Sequence, residues 1–403
     1  MDLFEPARLG PITLRNRILK AATYEGMSPS GVAGPSLTEF HRRLAEGGVG
    51  LTTVAYCAVG AGGRTFPHQL MLGDASCAEL SRLVRAVRTE GGESALQLGH
   101  AGMFSKLRDP EGRAPRGPSR AFNAYGVSSG LPFADAMDER DLEGVIEAFG
   151  QAAERAAELG FAAVEVHLGH GYLLSQFLSP AVNRRRDAWG GSPENRMRLP
   201  LAVVSRVRRA VGPGVAVLVK LNLADGFPGG LDIDGAIEVA RALERSGDVD
   251  LVVPSGGFTS RTPFYLLRGG LPLERMAAVQ PDRLSSLAMR ALGRVIIDAY
   301  PFEESFFLPL ARQMRAAVEL PLGLLGGLVS VSSMAEARRE GFDFVVLGRA
   351  LLADPDLVRR MERGELTRTR CDACNLCVAE MDDGGVRCVL DGPRPARPIA
   401  PIA

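Results

Sequence analysis

The sequence VEVHLGHGYLLSQFLSP, residues 164–180, places three polar side chains directly after an apolar run. A buried strand is predicted over residues 162–166, and His167, His170 and Tyr172 follow it before the next element begins. Similar short aliphatic runs recur along the chain and are typical of parallel strands that are covered on both faces. Eight strands are predicted, over residues 18–22, 49–55, 94–98, 162–166, 215–221, 250–254, 322–325 and 344–347.

Amphipathic stretches with helical spacing lie between most of these strands. They cover residues 142–158, 196–210, 233–246, 306–318 and 334–340. Strands that alternate with helices form parallel sheets, and eight such units predict an α/β protein with a closed (β/α)₈ TIM barrel. On strand number alone, a doubly wound open sheet is the alternative.

Some regions do not belong to this regular alternation. Residues 99–140 and 255–301 are too long for ordinary connections after a strand, so they are predicted to form walls or a lid at the C-terminal face, where active sites of barrels lie. The barrel is predicted to span residues 1–364. A short cysteine-rich extension follows over residues 365–390, and residues 391–403 form a proline-rich tail that is predicted to be disordered.

The composition narrows the class of function. The 47 basic residues balance the 47 acidic residues, which argues against the basic surface that nucleic-acid binding requires. No apolar stretch reaches the roughly 18 residues of a membrane span, and the N-terminus MDLFEPARLG lacks the pattern of a signal peptide. We therefore expect a cytoplasmic protein with a small-molecule substrate and with no nucleic-acid or membrane partner. A homo-oligomer is left open.

His167, His170 and Tyr172 are the first candidates for catalysis. Two imidazoles and a phenol at one strand end can hydrogen-bond a substrate carbonyl and deliver a proton to carbon. His100, at the end of another predicted strand, belongs on the same face of the barrel. Two alternatives stay open, because the His-x-x-His spacing also supplies two metal ligands and because buried histidines also serve structural roles.

A second group of residues predicts a phosphate site and an anion site. Gly326 and Gly327 follow the seventh predicted strand, and Gly348 and Arg349 follow the eighth; these two loops bind phosphate in many barrels. Lys220 lies inside the apolar strand AVLVKLN. A buried ammonium needs an anion or an electron-rich acceptor. A flavin offers one, and a buried carboxylate is the alternative partner.

Four of the six cysteines lie close together near the end of the chain. The segments CDACNLC and GGVRC place Cys371, Cys374, Cys377 and Cys388 in a C-x₂-C-x₂-C-x₁₀-C pattern. Four thiolates at such spacing are a ligand set for an iron–sulfur cluster. A structural Zn²⁺ site and a cysteine set that no longer binds metal are the alternatives.

Several segments resemble the old yellow enzyme family of NAD(P)H:flavin oxidoreductases, over about residues 2–363. They are LFEPARLGPITLRNRI, LQLGHAG, HGYLLSQFLSPAVNRRRDAWGGSPENR and GRALLADP. The resemblance implies FMN across the mouth of the barrel, with Gln97 and Lys220 at the pyrimidine ring. The cofactor-binding residues that it implies are Ala22, Thr23, Tyr24, Ala55, Gln97, Lys220, Gly326, Gly327, Gly348 and Arg349.

The same resemblance implies an activity. In such enzymes NAD(P)H reduces the flavin, and the reduced flavin passes the hydride to an activated alkene. His167 and His170 would hold the carbonyl of an α,β-unsaturated substrate, and Tyr172 would protonate its α-carbon. Two residues depart from the family pattern: Lys220 replaces a common Arg, and Tyr24 stands where Thr, Cys or His usually tunes the flavin.

The cysteine segment is similar to that of the 2,4-dienoyl-CoA reductase and trimethylamine dehydrogenase branch, in which a [4Fe–4S] cluster relays electrons from FMN. This similarity implies an alternative function, a flavin/iron–sulfur dehydrogenase or electron-transfer subunit that passes electrons to a partner protein. Neither the substrate nor the choice between NADH and NADPH follows from the resemblance.

Overall fold

Eight parallel strands form the centre of the computed structural model, which describes residues 2–280, 283–381 and 383–392. They are β1 (Ile18–Lys20), β2 (Leu51–Ala58), β3 (Glu93–Gly99), β4 (Ala163–Leu168), β5 (Ala216–Asn222), β6 (Leu251–Ser255), β7 (Gly323–Leu325) and β8 (Phe344–Leu347). Their spatial order is β6-β5-β4-β3-β2-β1-β8-β7. A parallel bridge between Val252 and Leu322 joins the two ends. The sheet therefore closes into the predicted barrel, and the doubly wound alternative is wrong.

Helices alternate with these strands, and all five predicted helices form. The α-helices are α1 (Pro35–Glu46), α2 (Asp74–Thr89), α3 (Glu139–Glu158), α4 (Leu173–Leu178), α5 (Pro193–Val211), α6 (Ile233–Ser246), α7 (Leu273–Ala278), α8 (Arg283–Ile296), α9 (Leu308–Ala317), α10 (Val331–Arg339), α11 (Arg349–Ala353), α12 (Leu357–Glu362) and α13 (Leu376–Glu380). Helix α3 begins before the predicted residue 142 because the Asp138 side chain accepts a hydrogen bond from the Asp141 N–H and Asp141 returns one, which caps the first turn. None of the helices in the described ranges is long and apolar enough to cross a membrane.

Strands β4 and β5 carry polar residues into the interior of the barrel. Every residue of both strands is buried, as expected for parallel strands that are covered on both faces. Glu165, His167 and Lys220 therefore lie inside the protein, where each needs a polar partner.

The two long insertions lie at the C-terminal ends of the strands, as predicted. The first contains a small sheet and two 3₁₀ helices, namely Arg116–Gly117, Ala121–Phe122, Phe133–Ala136, Gly102–Phe104 and Ala124–Ser129. Gln176 of α4 anchors it, because its Oε1 accepts from the Met103 N–H at 3.0 Å. The second insertion contains α7 and α8, and the Tyr125 hydroxyl joins the two insertions by donating to the carbonyl of Thr259 at 3.4 Å.

The N-terminal hairpin and the cysteine-rich segment complete the described chain. The hairpin pairs Ala7–Leu9 with Ile12–Leu14, and the remaining 3₁₀ helices are Asp2–Phe4, Pro29–Gly31, Ala61–Gly63 and Val389–Asp391. The cysteine-rich segment packs against the barrel: the Val386 N–H donates to the Glu25 carbonyl at 2.7 Å, and Arg275 forms a salt bridge with Glu380 at 2.8 Å. Residues 393–403 of the predicted tail lie outside the described residues, and the division at residue 364 stays a prediction.

Candidate active site

A cavity opens at the C-terminal ends of the strands, the face of the barrel where small-molecule and cofactor sites lie. Eight of the residues predicted for the barrel site line it: Ala22, Thr23, His170, Lys220, Gly326, Gly327, Gly348 and Arg349. The other predicted residues of the barrel site, Tyr24, Ala55, Gln97, His167 and Tyr172, do not line this cavity.

The three candidate catalytic side chains lie together. The rings of His167 and His170 are 4.9 Å apart between centroids, and those of His167 and Tyr172 are 4.6 Å apart. His167 Nδ1 accepts from the Gly169 N–H at 3.3 Å, so the proton of the neutral ring is on Nε2. The structure thus brings together the donors that the sequence predicts.

The backbone around His170 is unusual and is held on both sides. Its φ of 59° lies in the left-handed region, which is uncommon for residues other than glycine. Its N–H donates to Asn222 Oδ1 at 2.9 Å, and its carbonyl accepts from the Thr259 N–H at 2.9 Å. These contacts direct the ring toward strand β6, where Nε2 lies 2.8 Å from Ser255 Oγ. Ser255 was not predicted as a site residue.

Burial keeps all three groups uncharged at neutral pH. Desolvation, with a smaller contribution from the Lys220 charge, lowers the pKa of His170 to about 3. Desolvation also lowers the pKa of His167, with smaller contributions from His170 and Lys220. It raises the pKa of Tyr172 well above its usual value, and the neighbouring Tyr56 adds to this effect. The site therefore offers neutral imidazoles and a protonated phenol.

An aromatic cluster surrounds Tyr172. Its ring lies 4.7 Å from Tyr56 and 5.0 Å from Phe104 between centroids, and Tyr56 lies 5.6 Å from Tyr24. Tyr24 thus belongs to the aromatic wall on the Tyr172 side of the site. Sequence reasoning missed Tyr56 and Phe104, although Tyr56 comes directly after the predicted strand residue Ala55.

Lys220 is paired with a buried carboxylate, which the sequence left open as the alternative to a flavin. Its Nζ lies 2.8 Å from Glu165 Oε1, and Lys220 also lines the cavity. The same Glu165 oxygen accepts from Gln97 Nε2 at 2.6 Å. Glu165 was missed as a site residue, yet a signal existed: it lies two residues before His167 in one strand, and side chains at this spacing share a face.

The loops after β7 and β8 form the far end of the cavity. Gly326 and Gly327 have φ values of 113° and 76°. A Cβ at Gly326 would lie 2.6 Å from Phe307 Cδ2, and one at Gly327 would lie 2.8 Å from the Glu303 carbonyl oxygen. Packing behind the loop therefore requires glycine at both positions, and both glycines line the cavity. Backbone N–H groups of such a glycine loop can bind a phosphate.

The residues at this cavity fit FMN. Thr23 Oγ1 is buried without a hydrogen-bond partner among the described residues, and Thr23 lines the cavity. A buried hydroxyl without a hydrogen-bond partner is energetically costly unless a ligand supplies the missing hydrogen bond. Lys220 supplies a cation on the same cavity, and Gly326, Gly327 and Arg349 supply the phosphate end.

The four clustered cysteines line a second, smaller cavity. All four are free thiols, and burial raises their pKa values, that of Cys377 to about 12. In the described part of the chain, no group of three or more His, Cys, Asp or Glu side chains is arranged to hold a metal ion. The donor set suits a cluster or Zn²⁺, which would have to displace the thiol protons. The predicted metal site thus stays a proposal.

Comparison with known proteins gives the family. Residues 2–252 match the NADH:flavin oxidoreductase / NADH oxidase family. The chain belongs to this family. The resemblance to old yellow enzyme and the classification as an NAD(P)H:flavin oxidoreductase are thereby confirmed, and FMN is the cofactor of the family.

The proteins that this chain is similar to are named for different activities. The chain is 43% identical to 4,4'-dithiodibutanoate disulfide reductase of Rhodococcus erythropolis, over 96% of this chain and 95% of that protein. Morphinone reductase, solved with tetrahydroNAD, superposes with a TM-score of 0.70 at 25% identity, covering 92% and 93% of the two chains. Histamine dehydrogenase of Rhizobium sp. 4-9 superposes with a TM-score of 0.79 at 25% identity, over 96% of this chain. This chain spans about half the length of histamine dehydrogenase and of several other relatives.

Proposed function

We propose that the protein uses NAD(P)H, through FMN, to reduce the C=C bond of an α,β-unsaturated carbonyl compound. The observation that carries this proposal is the group of His167, His170 and Tyr172 at the mouth of the barrel, beside a cavity lined by Lys220 and the two glycine loops. FMN, when bound, supplies hydride transfer from the nicotinamide to the β-carbon of the alkene.

The residues of the chain would hold the cofactor at both ends. Lys220 and Gln97 would contact the pyrimidine ring, and Ala22, Thr23 and Ala55 would lie against the other rings. Gly326, Gly327, Gly348 and Arg349 would bind the phosphate, through backbone N–H groups and the guanidinium. Tyr24 would border the flavin from the aromatic wall.

The catalytic side chains would polarise the carbonyl and protonate carbon. His167 presents a neutral Nε2–H donor, which binds a carbonyl oxygen without placing a charge in a buried site. One nitrogen of His170 is engaged by Ser255, which leaves Nδ1 for the substrate. Tyr172 keeps its proton at neutral pH and would donate it to the α-carbon.

The two half-reactions test this function separately. Anaerobic mixing with NADH or NADPH should bleach the FMN absorption, and mixing of the reduced protein with 2-cyclohexen-1-one should restore it with formation of cyclohexanone. Purified protein without FMN, or reduced protein that the enone does not reoxidise, would contradict the proposal.

A second candidate function is the transfer of electrons from the reduced flavin to an acceptor other than an alkene. A relative of nearly the same length is named a disulfide reductase, and a disulfide would take two electrons and two protons to give two thiols. In addition, Cys371 lines both the cofactor cavity and the cysteine cavity, which favours a [4Fe–4S] cluster that passes electrons from FMN to a partner protein.

The same reduced protein distinguishes these acceptors. Faster reoxidation by 4,4'-dithiodibutanoate than by the enone would favour disulfide reduction, and reoxidation only by a one-electron acceptor such as ferricenium would favour electron transfer. Either function is compatible with a cytoplasmic protein, because free cysteines persist in a reducing compartment.

A further inference from the structure

We propose that Glu165 is a positioning residue that neutralises Lys220 and orients Gln97, and that it thereby lowers the reduction potential of the bound flavin. This inference rests on FMN binding in the cavity. It does not depend on which acceptor the reduced flavin serves.

One carboxylate oxygen connects the two predicted flavin contacts. Glu165 Oε1 lies 2.8 Å from Lys220 Nζ and accepts from Gln97 Nε2 at 2.6 Å. Gln97 and Glu165 are register partners on β3 and β4, and Lys220 lies on the neighbouring strand β5. The three side chains are each 1–3% exposed, so solvent does not screen them.

The ion pair sets the charge that faces the cavity. Lys220 lines the cavity, whereas Glu165 and Gln97 do not. A cation beside the pyrimidine ring stabilises the negative charge of the reduced flavin, and an adjacent carboxylate opposes that stabilisation. With Glu165 neutral, the full Lys220 charge would act on the flavin, and its potential would rise.

The same carboxylate determines which end of the Gln97 amide meets the flavin. An ionised carboxylate only accepts hydrogen bonds, so the Gln97 NH₂ group must face Glu165. The amide oxygen is then the end that remains for the flavin, where it can accept from the N3–H of the pyrimidine ring. A glutamine at position 165 would donate as well as accept and would relax this orientation.

A second buried pair in the barrel is a matched control. Lys20 Nζ lies 2.8 Å from Glu25 Oε1, and the two side chains are 1% and 4% exposed. Neither residue lines the cofactor cavity. Glu25 also accepts from the Ala55 N–H at 3.1 Å and lies 3.5 Å from His41 Nε2, and glutamine keeps an oxygen for the Ala55 N–H. Glu25→Gln therefore removes a buried carboxylate from a buried lysine of similar geometry, while the side chains that line the flavin cavity stay the same.

The experiment compares FMN-loaded wild-type protein with Glu165→Gln, Glu25→Gln, Lys220→Met and the double variant Glu165→Gln/Lys220→Met. The readouts are the two-electron reduction potential and the dissociation constant for sulfite, which adds to oxidised flavin more tightly when the pyrimidine ring is electron-poor. Glu165→Gln should bind sulfite at least tenfold more tightly than wild type. The redox equilibrium should shift tenfold toward reduced flavin, which is about 30 mV for a two-electron couple.

The controls define the outcomes. Glu25→Gln should change both values less than threefold, and the double variant, which leaves no unpaired charge, should lie closer to wild type than either single variant. If Glu165→Gln does not retain FMN, Lys220→Met is compared with the double variant, and the unpaired carboxylate should weaken sulfite binding tenfold. The proposal would be overturned if Glu165→Gln changed the reduction potential and the sulfite dissociation constant no more than Glu25→Gln does. Equal sulfite dissociation constants of Lys220→Met and the double variant would also overturn it. Failure of the wild type to reduce an enone would overturn only the alkene-reductase function.

Discussion

Arg349 and Cys371 lie in the wall between two cavities, and each lines both the cofactor cavity and the cysteine cavity. Arg349 Nη1 also donates to Asn375 Oδ1 and, at 2.9 Å, to the Arg268 carbonyl. Asn375 in turn donates to the carbonyl of Gly270 at 2.9 Å. The predicted phosphate end of the cofactor site, the second insertion and the cysteine segment are therefore joined at one place.

The first prediction concerns the metal content of the cysteine segment. Protein purified without oxygen should contain FMN and about four irons with sulfide per chain, because a [4Fe–4S] cluster takes four cysteine ligands. Cys374→Ser should lose the iron and keep the flavin. Cys77→Ser is the matched control, since Cys77 lies on α2 and does not line the cysteine cavity. Wild-type protein with flavin and without iron would contradict the cluster, and zinc in its place would indicate a structural site.

The second prediction separates the role of the Tyr172 hydroxyl from that of its ring. Tyr172→Phe should leave flavin reduction by NAD(P)H unchanged and slow enone reduction on the order of 100-fold, which is within the range of general acid catalysis. Tyr125→Phe controls for loss of a nearby hydroxyl, because Tyr125 contacts the Thr259 carbonyl and is not assigned to proton transfer. Equal losses in both half-reactions of Tyr172→Phe would refute its role as the proton donor.

The third prediction concerns stability in mild acid. Burial lowers the pKa of His100 to about 4 and that of His170 to about 3, while histidines in the unfolded chain have a pKa of about 6.5. The unfolded chain therefore binds more protons below about pH 6.5, and the free energy of unfolding falls as the pH falls toward 4. The midpoint of thermal unfolding should be lower at pH 5 than at pH 7.5.

A variant tests the origin of this pH dependence. His100→Asn keeps a side-chain acceptor for the Gly102 N–H, which His100 Nδ1 now binds at 3.0 Å. The difference in unfolding midpoint between the two pH values should become smaller in this variant. A midpoint that is the same at pH 5 and pH 7.5 in the wild type would contradict the prediction.

The fourth prediction concerns the glycine loop after β7. Gly327→Ala should lower both FMN retention and the unfolding temperature, because its Cβ would lie 2.8 Å from the Glu303 carbonyl oxygen. Gly364→Ala is the control: Gly364 has a φ of +72° and no atom within 4 Å of the added Cβ. It should lose only about 1–2 kcal/mol of stability from left-handed strain and keep its FMN affinity. Equal FMN affinities of the two variants would argue against close packing at the phosphate loop.

Most of the barrel could be predicted from the sequence, because its strands are continuous apolar runs and five of its helices show amphipathic, helical spacing. Strand β1 was predicted to reach residue 22 but ends at Lys20. The following segment turns inward, where Glu25 accepts from Lys20 and from the Ala55 N–H. A contact between residues 30 positions apart leaves no local pattern, so the sequence could not reveal where this strand ends.

The sequence by itself determined the alternation of eight strands with helices and the residue types at the strand ends, since apolar runs and helical spacing are local properties of the chain. It also determined that Lys220 needed a charged or electron-rich neighbour, because an ammonium inside an apolar strand is costly wherever it lies. Only the tertiary structure decided that Glu165 is that neighbour, that Tyr172 lies among Tyr56 and Phe104, and that Cys371 reaches the cofactor cavity. These contacts join distant segments, and closure of the barrel is what brings those segments together.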